Sequence, residues 1–214
     1  MSIVEFVHIH LSELGMRSLE HLLLCIATIS FACLIAVPAG ILLTRFRTLG
    51  AVAMSFASIV QTVPSLALLG LLMVITNRIG YAPSLIALFL YSLLPILQNT
   101  HSGIQQTPQS IRDAAMALGM SPQQVLWQVS LPLALPVIVA GIRTSTVLVI
   151  GTATLCAFIG AGGLGVFINR GIETINPRLV LLGVIPVSCM ALIADWLIAR
   201  LAKVLSPAAP GGDI

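Results

Sequence analysis

Charged side chains are scarce in this chain of 214 residues: they make up 8% of it, against roughly 25% in a typical soluble domain. Apolar residues make up 58%, and the mean hydropathy is +1.08. The net charge of +3 arises from ten basic and seven acidic residues, too weak a balance to indicate a nucleic-acid partner. The shortage of charge excludes an ordinary soluble domain and indicates a protein of the lipid bilayer.

Lysine is nearly absent, and aromatic residues make up 5% of the chain. The single lysine, Lys203, lies outside any GxxxxGK[ST] sequence, so the chain has no loop of that kind for nucleotide phosphates. The cysteines form no CxxC pair, and the histidines are scattered. We therefore expect no catalytic residue, no metal and no cofactor in this chain.

Five apolar runs meet the length of about 20 residues that a helix needs to cross a bilayer. They are Leu22–Leu43, Leu49–Ile75, Ile79–Leu97, approximately Leu133–Ala161 and approximately Leu179–Ala199. Helices are the open-ended structure that satisfies every backbone group in lipid. The predicted fold class is therefore all-α, a polytopic membrane protein with about five transmembrane helices.

The two ends of the chain differ from the apolar middle. Residues 1–18 place Val4, Val7, Leu11 and Leu14 on one helical face, which predicts an amphipathic interfacial helix, with a disordered leader as the alternative. Residues 206–214 (SPAAPGGDI) predict a flexible tail. A single transmembrane domain is expected between them, over residues 19–205.

A polar stretch, DAAMALGMSPQQVLWQVSLP at Asp113–Pro132, interrupts the apolar sequence. It belongs to a loop, 107–132, that carries the signals of two short helices. Each helix begins with a capping residue before a proline and ends at glycine or proline: Thr107-Pro108 to Gly119, then Ser121-Pro122 to Pro132.

Small and apolar residues share one face of the first of these helices. Ile111, Ala115 and Leu118 fall on this face, with Ala114 at its edge, a pattern that suits a helix lying in a partner's groove. Asp113 is expected near the first turn, where a carboxylate suits the helix dipole. The alternatives are a surface helix pair that binds nothing and a DNA-reading helix-turn-helix.

The spacing in this stretch closely resembles the coupling-loop motif of ABC-importer permeases. The motif begins with an acid and two alanines, and after three more residues comes Gly119. Nine residues then separate Gly119 from an aliphatic residue, Val129, and one further residue precedes Leu131-Pro132. Asp113 replaces the usual glutamate, and Val129 replaces the usual isoleucine. The resemblance implies a type I permease fold whose loop docks, in the cytoplasm, on a separate ATPase dimer that holds ATP and Mg. The implied coupling residues are Ile111, Asp113, Ala114, Ala115, Leu118, Gly119, Leu131 and Pro132.

Polar residues and a proline interrupt the second apolar run. Gln61 lies 14 residues after Arg47, roughly 21 Å along a helix, which is well inside a hydrocarbon core about 30 Å thick. Such residues usually face a bundle interior or a wet cavity, with helix–helix hydrogen bonding as the alternative. We expect Gln61, Thr62, Pro64 and Ser65 to line the translocation pathway.

A glycine-rich run follows the fourth apolar stretch. We expect Gly162, Gly163, Gly165 and Arg170 to form an outer gate and the docking rim for an extracytoplasmic substrate-binding protein; a tight connection is the alternative. QTVPSLALL, from Gln61, and AFIGAGGLGVFINRGI, which contains this run, resemble permeases of the quaternary-amine branch. That branch imports glycine betaine, choline or carnitine. Methionine importers share a similar segment, so a methionine-like solute stays open.

Arg143 and Asp195 are the ionised residues deep inside apolar runs. They lie at equal depth, roughly 25 Å from the outer ends of their runs, which makes a buried ion pair possible; snorkelling to the interface is the alternative. The resemblance implies an inner-membrane subunit with its N-terminus outside and its C-terminus inside, paired with a second copy or a paralogue. An ion-driven secondary transporter stays a further alternative.

Overall fold

The computed structural model describes residues 3–205, which are helical apart from short connections. The helices are α1 (Ile3–Leu43), α2 (Arg47–Thr62), α3 (Ser65–Thr76), α4 (Tyr81–Gln105), α5 (Gln109–Ala117), α6 (Pro122–Gln124), α7 (Leu131–Thr152), α8 (Gly165–Glu173) and α9 (Pro177–Leu205). A π-helical segment, Val125–Ser130, precedes α7, and a 3-10 segment, Ala153–Ile159, follows it. The prediction of an all-α fold is confirmed.

Four helical stretches are long and apolar enough to cross a membrane: His8–Leu43, Tyr81–Gln105, Pro122–Ile159 and Pro177–Val204. A fifth crossing is formed if the pair Thr48–Thr62 and Ser65–Thr76, bent by 103°, counts as one broken span. The prediction of about five crossings is therefore confirmed. The predicted tail, 206–214, lies outside the described residues.

The first helix has no break near residue 18. α1 contains 41 residues and is about 60 Å long, twice the thickness of a hydrocarbon core of about 30 Å. The segment expected to form a separate interfacial helix is therefore continuous with the first span. Leu11 is exposed and Leu14 half-buried on it, whereas the side chains of Val4 and Val7 lie outside the described residues.

The second span is broken at Pro64. Val63 and Pro64 both have extended backbone, with ψ of 129° and 132°. The break has a local cause, because a proline ring disfavours helical geometry at the residue before it. The Tyr91 hydroxyl donates a hydrogen bond to the Val63 carbonyl, which an uninterrupted helix would bond to the Ala67 N–H.

Close helix packing sets the position of α7 beside α4. A Cβ at Gly141 would lie 2.6 Å from the Asn99 Cβ and 2.7 Å from the Pro95 carbonyl oxygen, so the two backbones approach as only glycine allows. The buried Ser145 hydroxyl donates to the Ser92 carbonyl at 2.9 Å. α4 also packs on α1 and α2, and α9 packs on α7 and α8.

Candidate coupling loop and translocation pathway

The first loop helix, α5, begins one residue later than the sequence predicts. Pro108, with ψ 135°, is its N-cap, and no side chain caps it. Thr107 is not the cap: it is buried, and its hydroxyl oxygen has no hydrogen-bond partner. Asp113 is the fifth helical residue, beyond the first turn, and accepts a hydrogen bond of 2.8 Å from the Gln109 amide. Asp113 therefore lies next to the first turn, close to the position expected from the sequence, and its interaction with the helix dipole stays a prediction.

The turn between α5 and α6 follows its predicted chemistry. Gly119 has φ +88°, its N–H donates to the Met116 carbonyl at 2.9 Å, and the Met120 N–H donates to Ala115 at 3.2 Å. These two bonds form a Schellman motif, which fixes the helix end. The Ser121 hydroxyl then accepts from the Gln124 N–H while the Gln124 side chain accepts from the Ser121 N–H, a capping box.

The predicted stop at Pro132 is wrong. α6, the π-helical segment and α7 form one continuous helical run, and Pro132 lies in the first turn of α7. A proline ring clashes with the carbonyl four residues earlier, and a wider π-helical turn before it relieves the crowding. The second loop helix is therefore the beginning of the fourth span, in which Leu131 and Pro132 are half-buried.

The residues of the predicted docking face of α5 differ in their exposure. Ala115 is buried against its own chain, so it is not free for a partner. Leu118 is 86% exposed, Ile111 is 41% exposed, and Ala114 is exposed beside them. Because α5 lies outside the membrane spans, these neighbouring exposed apolar side chains make it a candidate binding surface.

The predicted pathway residues come together around a cavity of about 390 Å³ at the break in the second span. The cavity is lined by Gln61, Thr62, Val63, Pro64, Ser65, Tyr91, Leu148 and Thr152. Gln61 donates to the Tyr91 carbonyl at 3.0 Å, so it also joins α2 to α4. Tyr91, Leu148 and Thr152 also line the cavity and were not predicted; a tyrosine inside an apolar run was the available signal for Tyr91.

The glycine-rich segment packs on the N-terminal half of α1. Gly162 and Gly163 have φ of +79° and +75°, and the Gly163 N–H donates to a Glu20 carboxylate oxygen at 2.9 Å. Gly163 and Gly165 are buried, and a Cβ on Gly165 would lie 1.9 Å from the Thr154 carbonyl oxygen. These contacts join the glycine-rich segment closely to the rest of the chain, with Gly162 left half-buried, and its role as an outer rim stays a prediction.

One ion pair joins the same half of α1 to α8, and a second lies within α1 beside it. Arg170 binds the Glu13 carboxylate through both terminal nitrogens, at 3.1 and 3.3 Å, and Arg17 binds Glu20 at 2.9 Å. Side-chain exposure of 42% for Arg170 and 33% for Glu13 leaves this pair open to solvent. The acidic partners on α1 were not predicted, although Glu13, Arg17 and Glu20 repeat at helical spacing.

Arg143 and Asp195 form a two-point ion pair between α7 and α9. Arg143 Nε and Nη2 each donate to a different oxygen of Asp195, the second at 2.6 Å. The side chains are 44% and 32% exposed, so the pair lies on the surface of this chain at membrane depth rather than in its core. A charged pair placed there needs water or a further protein surface around it.

The described chain is an all-helical bundle with a polar cavity at a broken span and a capped helix pair at one end. The family described as "Binding-protein-dependent transport system inner membrane component" matches residues 36–206, and the chain belongs to that family. It is therefore a multi-pass inner-membrane permease subunit. Membership excludes the ion-driven secondary transporter.

Curated relatives agree with this assignment, and a solved structure shares the fold. The chain is 39% identical to the choline transport system permease protein OpuBB of Bacillus subtilis, covering 96% of this chain and 94% of the relative. It is 38% identical to the glycine betaine/carnitine/choline transport system permease protein OpuCB of the same organism, covering 94% and 93%. A chain of the inward-facing MetNI methionine ABC transporter shares the fold, with a TM-score of 0.76, 22% identity and coverage of 91% and 96%.

Proposed function

We propose that this chain is the membrane subunit of an ATP-driven importer for quaternary ammonium osmoprotectants such as choline, glycine betaine or carnitine. The observation that carries the proposal is the exposed apolar face of α5, held by a Schellman motif and a capping box. The solute class is supported by relatives named for these solutes.

The partner of α5 is a cytoplasmic ATPase dimer, which binds ATP and Mg. Leu118, Ile111 and Ala114 present the docking face, and the loop residues around them keep the helix pair in shape. This docking places the α5–α6 side in the cytoplasm. The N-terminus of α1 then lies outside and the C-terminal end of α9 inside, because an odd number of crossings separates them.

The pathway runs along the exposed face of α7, between the cavity at Pro64 and the Arg143–Asp195 pair. Exposed residues repeat along this face at helical spacing: Ala140, Thr144, Val147, Leu148 and Gly151. A second copy of the chain, or a paralogue, covers the other side. The exposed ion pair then meets water or protein instead of lipid.

High-affinity solute capture belongs to a separate substrate-binding protein. Tyr91 is the aromatic residue that lines the cavity, and one ring is too few for a cage around a quaternary ammonium ion. The outer rim, with Gly162 and the Glu13–Arg170 pair, is the docking surface for that protein. The permease is then a low-affinity path.

Reconstitution of the chain with its ATPase and binding protein in liposomes tests the proposal. Labelled choline, glycine betaine, carnitine and methionine are supplied separately, and uptake is measured with and without ATP. We expect ATP-dependent uptake of at least one quaternary amine and none of methionine. Methionine uptake alone would refute the solute class, and uptake that persists without the ATPase would refute the mechanism.

A further inference from the structure

A large cavity of about 850 Å³ lies between the C-terminal ends of α1 and α4 and the helix pair α5–α6. Its polar lining includes Thr44, Gln105, Gln109 and Ser121, together with two arginines, Arg45 and Arg112. The described side chains that line it include no carboxylate, so the cavity carries an uncompensated positive charge. Such a cavity favours an anionic ligand.

Arg112 has donor capacity left for such a ligand. One terminal nitrogen donates to the Gln105 carbonyl at 3.3 Å, and Nε is buried without a hydrogen-bond partner. Because Arg112 lines the cavity, its terminal nitrogens can donate charge-assisted hydrogen bonds to a phosphate oxygen there. Arg45, in the turn that follows α1, lines the same cavity.

An apolar groove of about 300 Å³ adjoins this basic cavity. Its lining residues are Pro38, Ile41, Leu42, Arg45, Leu126 and Trp127. Arg45 and Leu126 line both spaces, so the two are contiguous. A charged compartment that opens into an apolar groove matches an amphipathic molecule with an acidic head.

The two compartments lie where a bilayer surface meets the protein. The first span ends at Leu43, two residues before Arg45, and the groove residues of α1 lie inside that span. Trp127 is 58% exposed beside them, and both tryptophan and arginine are typical residues of the membrane interface. The basic cavity is therefore at headgroup level and the groove at acyl-chain level.

We infer that this double compartment binds an anionic phospholipid of the phosphatidylglycerol kind. The phosphate and headgroup lie between Arg45 and Arg112, and an acyl chain lies along Leu42 and Leu126 against Trp127. A free phosphate would leave the apolar groove empty, and an acidic segment of a soluble partner would not reach it. The bound lipid holds α5 against the end of α1, and this role is independent of the solute transported.

Tryptophan fluorescence tests the inference directly, because Trp127 and Trp196 are the two tryptophans of the chain. The full chain carrying Trp196→Phe is placed in nanodiscs of dioleoylphosphatidylcholine with a minor fraction of brominated phosphatidylglycerol. We expect stronger quenching of Trp127 than with the same fraction of brominated phosphatidylcholine. Arg45→Gln and Arg112→Gln should each weaken the preference for phosphatidylglycerol about fivefold, and the double variant should lose most of this preference.

Arg200→Gln is the matched control, since Arg200 lies near the C-terminal end of α9 and is not among the residues that line either compartment. It should leave the lipid preference unchanged, and circular dichroism should show that all variants stay folded. Equal quenching by both brominated lipids would overturn the inference. An equal loss of the phosphatidylglycerol preference in Arg200→Gln would show that general surface charge, and not this cavity, causes the preference. If inorganic phosphate protected Trp127 from quenching and neither lipid were preferred, the cavity would be assigned to a soluble anion.

Discussion

Replacing Leu118 by alanine should separate docking on the ATPase from folding of the permease. Leu118 is 86% exposed in the structure, so truncation removes almost no contact within this chain. Burying a leucine side chain contributes about 1.5–3 kcal/mol, and 86% of that burial is still available to a partner. Complete burial in a partner groove therefore contributes about 1.3–2.6 kcal/mol, or roughly a 10- to 80-fold change in affinity per loop.

Affinity for the ATPase and thermal unfolding of the permease, both measured in the same detergent, check this expectation. Leu192→Ala is the matched control, because Leu192 is 70% exposed on α9, away from the loop. Both variants should keep the melting temperature of the parent chain, and only Leu118→Ala should bind the ATPase more weakly. Equal ATPase affinity for the two variants would refute α5 as the docking helix.

Three further substitutions have outcomes that the geometry determines. Gly119→Ala places a Cβ at φ +88° and should destabilise the end of α5 by about 1–2 kcal/mol, seen as faster hydrogen exchange there. Gly141→Ala should lower the melting temperature through a clash costing about 1–3 kcal/mol, whereas Gly70→Ala, with nothing within 4 Å, should not. Asp195→Asn should reduce uptake several-fold, and exchanging the charges in an Arg143→Asp, Asp195→Arg variant should recover part of it; no recovery would refute a role for the ion pair.

The spans were predictable because lipid imposes one requirement on every crossing segment: an apolar exterior with its backbone bonded internally. Proline was harder to interpret. At Pro64 and Pro132 the sequence shows the same residue, yet the first breaks its span and the second lies in a continuous helix. A tertiary contact, the Tyr91 hydroxyl on the Val63 carbonyl, accompanies the break, and a π-helical turn accompanies the continuity.

The face of α5 was also predicted only in part. Periodicity placed Ala115 and Leu118 together, because both lie on one side of a helix. Their different burial depends on where the rest of the chain packs, which periodicity does not contain. Turn chemistry was more local, and Gly119, Ser121 and Pro122 therefore adopt the conformations predicted for them.

The continuous helical run from Pro122 to Thr152 has a mechanical consequence for transport. It begins at the capping box beside the proposed docking helix and reaches Thr152, which lines the cavity, with Arg143 between them. Because a helix is stiff along its axis, a displacement at one end moves the other end as well. A movement of the α5–α6 turn would therefore reach the cavity at Thr152 through this helical run alone. The π-helical segment is the site where such a run bends most easily. Movement of the docked ATPase would therefore tilt α7 about Val125–Ser130, and the Arg143–Asp195 pair would draw α9 with it.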